Sequence, residues 1–338
     1  MSVSRSSKNP MSLIEQHDAL LLDLDGTVWE GGRAIDGAVE FINSCELPSI
    51  YVTNNASRAP QVVAEKLASI ALKATPADVL TSAQAAVTLA GEHISPGAKV
   101  LVIGADSFRE LVREGGYTVV SSADDNPAAV LQGFDPSVGW AQLTEGALAI
   151  RQGAVYIASN LDTSLPTERG LAVGNGSLVA AVRSATGVEP VSAGKPEPAM
   201  FVQAAHRIGS HSPLVVGDRL DTDIAGGKAA AMSTFHVLTG VSHEIALLEA
   251  DVEHRPDYIG ESLSDISLSS NQLRPGPQGG FTARVDGLDL LIDNGDAGAT
   301  SIQALRTALQ VAWSMPKPPR YIQPLSAKAE EVIQGWKE

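Results

Sequence analysis

The sequence predicts an α/β protein built on a doubly wound, mainly parallel sheet, with a small α+β extension at its C-terminal end. Three observations carry this prediction. Short apolar runs of the kind that form buried strands alternate with segments whose apolar residues recur at spacings of three and four. Three of the runs end in polar clusters, as the strands of an open parallel sheet do where they meet a ligand crevice. The alternation stops near Ser264, where the composition changes.

In chain order, ALLLDLD, SIYVTNN, KVLVIGAD, AVYIASNLD, PLVVGDR and TFHVL read as buried strands. Between them APQVVAEKLASIA, SFRELVREGG and EPAMFVQAAHRIG carry the helical spacing. The segment SLSSNQLRPGPQGG, rich in Ser, Pro and Gly, predicts a linker over 265–280. Residues 281–338 then offer two strand-like runs, FTARVDG and LDLLIDN, and one helix, SIQALRTALQVAWSM. The 338 residues exceed the usual size of one domain, so two or three compact units are expected.

Composition narrows the function. With 39 acidic residues against 24 Lys and Arg the formal charge is −15, and no basic run could track a phosphate backbone, which excludes nucleic acid as a partner. The lone Cys45 has no second thiol for a disulfide or a metal site and reads as a small hydrophobe. The segment 1–18 lacks an apolar h-region, and no apolar run reaches the length of a membrane span, so a soluble cytoplasmic protein without membrane contact is expected.

The chemistry concentrates at strand ends. Asp23 and Asp25 follow three leucines, and alternate residues of a strand face one way, so both carboxylates can approach one place. Two such acids in a dry site need a cation to stay charged. Asp218 and Asp223 supply further hard oxygen ligands, and a few carboxylates of this kind suit magnesium better than zinc. A cation beside one carboxylate left free to attack suggests phosphoryl transfer. Lys195 is the available positive charge. Thr53 and Asn54 can hydrogen-bond phosphate oxygens, as can amides of the loop through Gly26 and Thr27, where Gly26 permits close backbone approach. Asp221 reads as a partner for Arg219, Arg58 as a solvated helix-start residue, and the seven histidines, lacking ligand spacing, as structural or surface groups.

DLDGT, VTNN, GKPEP and GDRLDTDI, in this order, resemble the four motifs of the haloacid dehalogenase-like superfamily. More narrowly they resemble its subfamily IIA, which holds 4-nitrophenyl phosphatases, pyridoxal phosphatase and phosphoglycolate or glycerol 3-phosphate phosphatases. The resemblance implies a catalytic core over 12–94 and 191–264. It makes Asp23 the nucleophile that forms an aspartyl-phosphate and Asp25 the acid, then base. Magnesium would be held by the Asp23 side chain, the Asp25 carbonyl, Asp218 and Asp223. Thr53 and Asn54 would bind the phosphoryl group, and Lys195 would neutralise it together with the nucleophile.

The segment 56–193, between TNN and GKPEP, is far longer than one crossover needs. The resemblance implies that 95–190 form an α/β cap that closes over the site and selects the substrate, a small phosphorylated metabolite. It makes Asn160, Asp162 and Asn175 the specificity candidates, with glycerol 3-phosphate the first choice and phosphoglycolate, pyridoxal phosphate, 4-nitrophenyl phosphate or a nucleotide the alternatives. A monomer or a cap-mediated homodimer is expected. A dehalogenase would not need Asp25, and a phosphomutase would carry a smaller or differently placed cap. The C-terminal unit faintly resembles half of a GNAT acetyltransferase but lacks its Gly-rich loop, so a structural or contact role is expected there.

Overall fold

In the computed structural model, which describes residues 11–167 and 169–337, the main sheet has six parallel strands. These are β1 (Ala19–Leu22), β2 (Ser49–Thr53), β3 (Val79–Thr81), β4 (Pro213–Gly217), β5 (Ser233–Val237) and β6 (Tyr258–Gly260). Their order is β6-β5-β4-β1-β2-β3, with β1 in the middle. The chain winds one way from β1 through β2 to β3 and the other way from β4 to β6, so the switch point lies between β1 and β4. Ligands of open α/β sheets bind at such a point, beyond the carboxyl ends of the strands.

Both faces of the sheet are covered, which is why its strands read as unbroken apolar runs. Leu20, Leu22, Tyr51, Val216 and Phe235 pack on one side. Leu21, Ile50, Val52 and Val215 pack on the other, sharing a core with Val100, Val102, Phe108, Leu131 and Ile157 of a second sheet. That second sheet, also wholly parallel, places Val191–Ser192, Val155–Ala158, Ala129–Gln132, Lys99–Ile103 and Thr118–Val120 side by side. A separate antiparallel ribbon joins Ser164–Thr167 to Gly170–Val173. The strands VLT of β3 and TVV of the second sheet escape a reading by periodicity because so short a run holds no period. The structure nonetheless marks the exit of β3 with a capping box, Thr81 N–H donating to Gln84 Oε1 at 3.0 Å and Gln84 N–H to Thr81 Oγ1 at 3.3 Å.

Residues 265–280, predicted as a linker, are built into the fold. A 3₁₀ turn at Leu263–Ser267 and a short helix at Ser270–Leu273 occupy much of the segment. Leu273 is fully buried in the main core, Leu13 N–H donates to Leu268 O at 2.8 Å, and Gly276 N–H donates to Arg306 O at 2.9 Å. The serines that suggested flexibility include the cap of that helix, where Ser269 Oγ and Gln272 Oε1 are 2.9 Å apart.

Beyond it, the hairpin Phe281–Asp286 and Asp289–Asn294 pairs in parallel with Ile322–Pro324, and the helix Ser301–Ala312 packs behind. This helix is buried along much of its length, because Ala304, Leu305, Ala308 and Leu309 share a core with Leu220, Ile224, Leu247 and Ile259 of the main unit. Arg306 lies buried in the seam and donates twice to Ile259 O on the edge strand β6, at 2.5 and 3.1 Å. Among the described residues no helix is long and apolar enough to cross a membrane.

Candidate active site

The site forms where β1 and β4 end. The ladder continues one residue past β1, since Asp23 N–H donates to Val216 O at 2.9 Å, and this fixes the Asp23 backbone beside the end of β4. The chain then turns sharply through Gly26 at φ +90. A Cβ there would sit 2.4 Å from Asp218 Oδ2, so only glycine lets the turn pass over that carboxylate. Lys195 enters from the segment between Val191–Ser192 and the helix Ala199–Arg207. Its ammonium donates to Asp23 Oδ1 at 2.5 Å, Asp223 Oδ1 at 2.7 Å and Val52 O at 3.1 Å, which uses all three of its protons.

Asp218 directly follows β4. Val241 N–H donates to its Oδ2 at 2.6 Å, and Thr27 Oγ1 donates to its Oδ1 at 3.4 Å. Asp223 lies in a wide π-type turn, Leu220–Ile224, ahead of the helix Ala225–Ala229. Gly217 makes the turn possible, because a Cβ on it would sit 2.3 Å from the Cβ of Asp223. Arg219 N–H donates to Asp223 Oδ2 at 3.2 Å, leaving Oδ1 for Lys195.

Carboxylate oxygens of Asp23, Asp218 and Asp223 all come within 4.8 Å of one another. Against these three acids stands Lys195, the one basic side chain among the described residues paired with them. Burial, then the charge of Asp223, pushes the Asp218 carboxyl up to about 7. Burial, with Asp223 and Asp218, also raises Asp23 well above the usual carboxylate range despite Lys195. Burial works against charge on Lys195, but Asp223 and Asp23 outweigh it and hold its pKa above that of a free lysine. Three hard oxygen donors carrying more negative charge than a lysine can balance fit a divalent cation such as magnesium.

The structure separates the sequence candidates. Asp25 stays exposed, with Trp29 Nε1–H donating to its Oδ1 at 2.8 Å, and Lys66 lies 4.4 Å above the Trp29 ring. Thr27 is fully buried and does not face the open site. Its hydroxyl supports Asp218 and its N–H donates to Leu24 O at 3.3 Å, while Gly26 N–H is taken by Trp29 O at 2.7 Å. The loop amides expected from Gly26 and Thr27 are therefore spent on the turn itself. Directly after β1 and β2, among the described residues, the N–H groups of Leu24, Asp25 and Asn54 have no acceptor within the chain.

Thr53 is buried and its oxygen accepts from Asn55 N–H at 3.1 Å, leaving the hydroxyl proton to donate. The Asn54 side chain bridges two parts of the chain. Its Oδ1 accepts from Lys195 N–H at 2.9 Å, and its Nδ2 donates to Lys195 O at 3.1 Å and to both oxygens of Asp162 at 3.3 Å. Asn160 Nδ2 donates to Asn54 O at 2.7 Å, and Asn175 Nδ2 to Asn160 O at 2.8 Å. Asn160 and Asn175 are thus buried parts of the seam between the two sheets, a place their turn-forming character does not advertise. Asp221 pairs with Arg219 at 2.8 Å, and Arg58 is exposed. Trp29 and the turn Thr239–Ser242 escape a sequence reading, since an indole after a turn and a Gly after a strand have ordinary explanations, while His236 is a buried structural group, as expected of the histidines.

The chain is similar to known families and to solved structures. A family described as haloacid dehalogenase-like hydrolase matches residues 20–118, and a second, HAD-hydrolase-like, matches 192–266. The chain is 40% identical over 336 residues to a D-glycerol 3-phosphate phosphatase of Mycobacterium tuberculosis, covering 96% of this chain and 95% of that one. It is 41% identical over 234 residues to an acid sugar phosphatase of Staphylococcus aureus, covering 68% and 89%. A crystal structure of the M. tuberculosis glycerol phosphate phosphatase in complex with magnesium superposes with a TM-score of 0.93, covering 97% of this chain and 99% of that one. A thermostable NPPase of Geobacillus stearothermophilus, 35% identical, superposes with a TM-score of 0.68 over 74% of this chain and 98% of its own.

Proposed function

The chain belongs to the haloacid dehalogenase-like hydrolases, and from this membership we propose that it is a magnesium-dependent phosphatase that hydrolyses glycerol 3-phosphate through an aspartyl-phosphate. The observation that carries the reading is the Asp23 carboxylate, held by a buried lysine among two further acids, with a second, solvent-reachable acid two residues away. Residues 12–94 and 191–264 serve as the catalytic core and 95–190 as the cap. The enzyme works in the cytoplasm, where phosphorylated metabolites are held by their charge, as a monomer or a dimer formed through the cap.

Asp23, Asp218 and Asp223, with the Asp25 carbonyl, hold magnesium, which offsets the negative charge that a phosphate dianion adds to the site. Lys195 fixes Asp23 Oδ1, so the other oxygen is presented to phosphorus. As the Asp23–phosphorus bond forms and the bond to the leaving oxygen breaks, Asp25 gives that oxygen a proton. Asp25 then takes a proton from the water that attacks phosphorus, releasing phosphate and restoring Asp23. Trp29 holds the acid in place for both transfers. The amides of Leu24, Asp25 and Asn54 and the Thr53 hydroxyl are the donors left for the phosphoryl oxygens.

The choice of glycerol 3-phosphate is supported by the similarity across the whole chain, C-terminal unit included. The segment 158–187 contains no aromatic residue that could stack on a pyridoxal ring or a base. Phosphate release from glycerol 3-phosphate, phosphoglycolate, sugar phosphates, pyridoxal phosphate and nucleotides, with and without magnesium, tests the reading. Glycerol 3-phosphate should lead in kcat/KM by about tenfold or more, a margin of roughly 1.4 kcal/mol. A preference for pyridoxal phosphate or a nucleotide would overturn the substrate, and release independent of magnesium would overturn the cofactor.

A pH dependence follows from the raised acids. In the metal-free protein the folded state holds a proton on Asp218 up to about pH 7, whereas an unfolded aspartate releases it near 3.8. Between those values the folded state binds more protons, so stability is full below the lower one and is lost as pH rises through the upper. Melting temperature in EDTA should therefore fall between pH 5 and 8, and added magnesium should raise it more at pH 8 than at pH 5. An equal shift at both would count against these carboxylates as the ligands.

A further inference from the structure

The turn after β5, Thr239-Gly240-Val241-Ser242, belongs to none of the four motifs, yet it ties together the two loops that carry Asp23 and Asp218. Thr239 Oγ1 donates to Gly26 O at 2.6 Å, which holds the turn that follows Asp23. Val241 N–H donates to Asp218 Oδ2 at 2.6 Å, and Ser242 N–H donates to Asp218 O at 3.1 Å, so the same turn grips Asp218 by side chain and backbone. Leu220 N–H donates to Ser242 Oγ at 3.2 Å, extending the grip to the π-type turn that holds Asp223. Gly240 lies flat against the carboxylate. A Cβ on it would stand 1.9 Å from Asp218 Oδ2, and the three nearest atoms all belong to Asp218.

The far end of the turn is anchored in the sheet. His236, fully buried on β5 and in register with Gly217 of β4, meets Ser242 O through Nε2 at 2.9 Å. A carbonyl only accepts, so Nε2 carries the proton and Nδ1, which has no partner, is bare. The imidazole is held in one tautomer by one contact, and that contact fixes the turn.

We propose that Thr239–Ser242 is a clasp that sets the position of Asp218 relative to the Asp23 loop and so sets magnesium affinity, with His236 as its anchor. The inference rests on Asp23, Asp218 and Asp223 being the magnesium site. With Oδ2 of Asp218 engaged by Val241 and Oδ1 touched only by the Thr27 hydroxyl at 3.4 Å, the carboxylate can offer Oδ1 to the cation in a single orientation. Outer partners of this kind orient a ligand and tune its metal. All of them are positioning residues, since none is placed to touch the substrate.

Magnesium binding measured by calorimetry without substrate tests the clasp, in the full-length protein and in Gly240→Ala, Thr239→Val, Thr239→Ser and Asp218→Asn. Gly240→Ala pushes the carboxylate away without removing a polar group, and φ at 240 is not positive, so the backbone itself accepts alanine. Gly240→Ala and Thr239→Val should each weaken magnesium binding by about 10- to 100-fold. Thr239→Ser, which keeps the hydroxyl, should bind nearly as the parent does. At saturating magnesium the kcat of the weakened variants should recover, while KM for glycerol 3-phosphate stays near the parent value. Unchanged affinity in Gly240→Ala and Thr239→Val, with Asp218→Asn weakened, would overturn the clasp and leave the metal site standing. Unchanged affinity in all of them would overturn both. If Gly240→Ala does not fold, the comparison of Val with Ser at 239 decides, and equal losses in the two would overturn the proposal.

Discussion

Asp23→Asn should stop phosphate release, by a factor on the order of 10⁴ to 10⁶ in kcat, and should at the same time make the metal-free protein more stable. Loss of the nucleophile accounts for the first effect, because the amide cannot form the acyl phosphate. The second follows from burial and from the neighbouring charges of Asp223 and Asp218, which raise the Asp23 carboxyl well above its ordinary range. An aspartate in that condition destabilises the fold whenever it is ionised. The asparagine keeps an acceptor for Lys195 and removes one of three crowded negative charges. In EDTA the variant should melt above the parent, and by more at pH 8 than at pH 5, because the parent's raised acid is ionised more fully as pH rises. Residual turnover near the parent rate would sink the nucleophile assignment. A variant that melts well below the parent at pH 8 would show that Asp23 holds the fold together rather than straining it.

Lys195→Met carries the largest expected loss of stability. The lysine is buried and bonded to Asp23, Asp223 and Val52 O, so its removal leaves two buried acids and one carbonyl without their partner. Breaking a buried pair of this kind costs about 3–5 kcal/mol. The orphaned Asp23 can escape part of that by taking up a proton, which sets the sign of the pH dependence. The Asp23 carboxyl, already raised and now without the lysine that lowers it, has a folded pKa above the unfolded value, so the variant's stability is greatest at low pH and falls as pH rises through the folded value. Urea denaturation in EDTA at pH 5 and 8 measures this, and a loss of equal size at both would mean that Lys195 matters for packing rather than for charge. Turnover should fall with it, since nothing else among the described residues neutralises Asp23.

The parts of this site that were legible in the sequence are those that chemistry confines to short contiguous segments. Asp23, Lys195, Asp218 and Asp223 each stand just after an apolar run or inside a distinctive loop, and the parallel sheet brings them together without further instruction. What was not legible is the use made of small and polar residues. Gly26 and Thr27 look like phosphate-loop residues, yet Gly26 is there to pass over Asp218 and Thr27 to support it. Asn160 and Asn175, which the family resemblance makes specificity candidates, stitch backbone carbonyls in a buried seam. Gly240 resembles any turn glycine, because the carboxylate that forbids a side chain there belongs to Asp218, just after the neighbouring strand β4 and remote from it in sequence. The segment 265–280 shows the same limit, since Ser and Gly mark a break in periodicity whether the chain is loose or capped and packed.

The packing of helix Ser301–Ala312 on Leu220, Ile224 and Ile259 has a consequence for the timing of maturation. A chain emerging from the ribosome presents DLDGT first and GDRLDTDI only after the whole intervening segment, and at that moment it holds every acid the reaction needs. The turn bearing Asp223 still lacks the apolar floor beneath it, and β6 still lacks the guanidinium of Arg306 on its carbonyl. The apolar packing beneath that turn is completed only when the helix Ser301–Ala312 is out and can fold back onto it. The acids of the site are thus all synthesised before the apolar packing beneath Asp223 can be completed, so side chains precede their support in the order of synthesis.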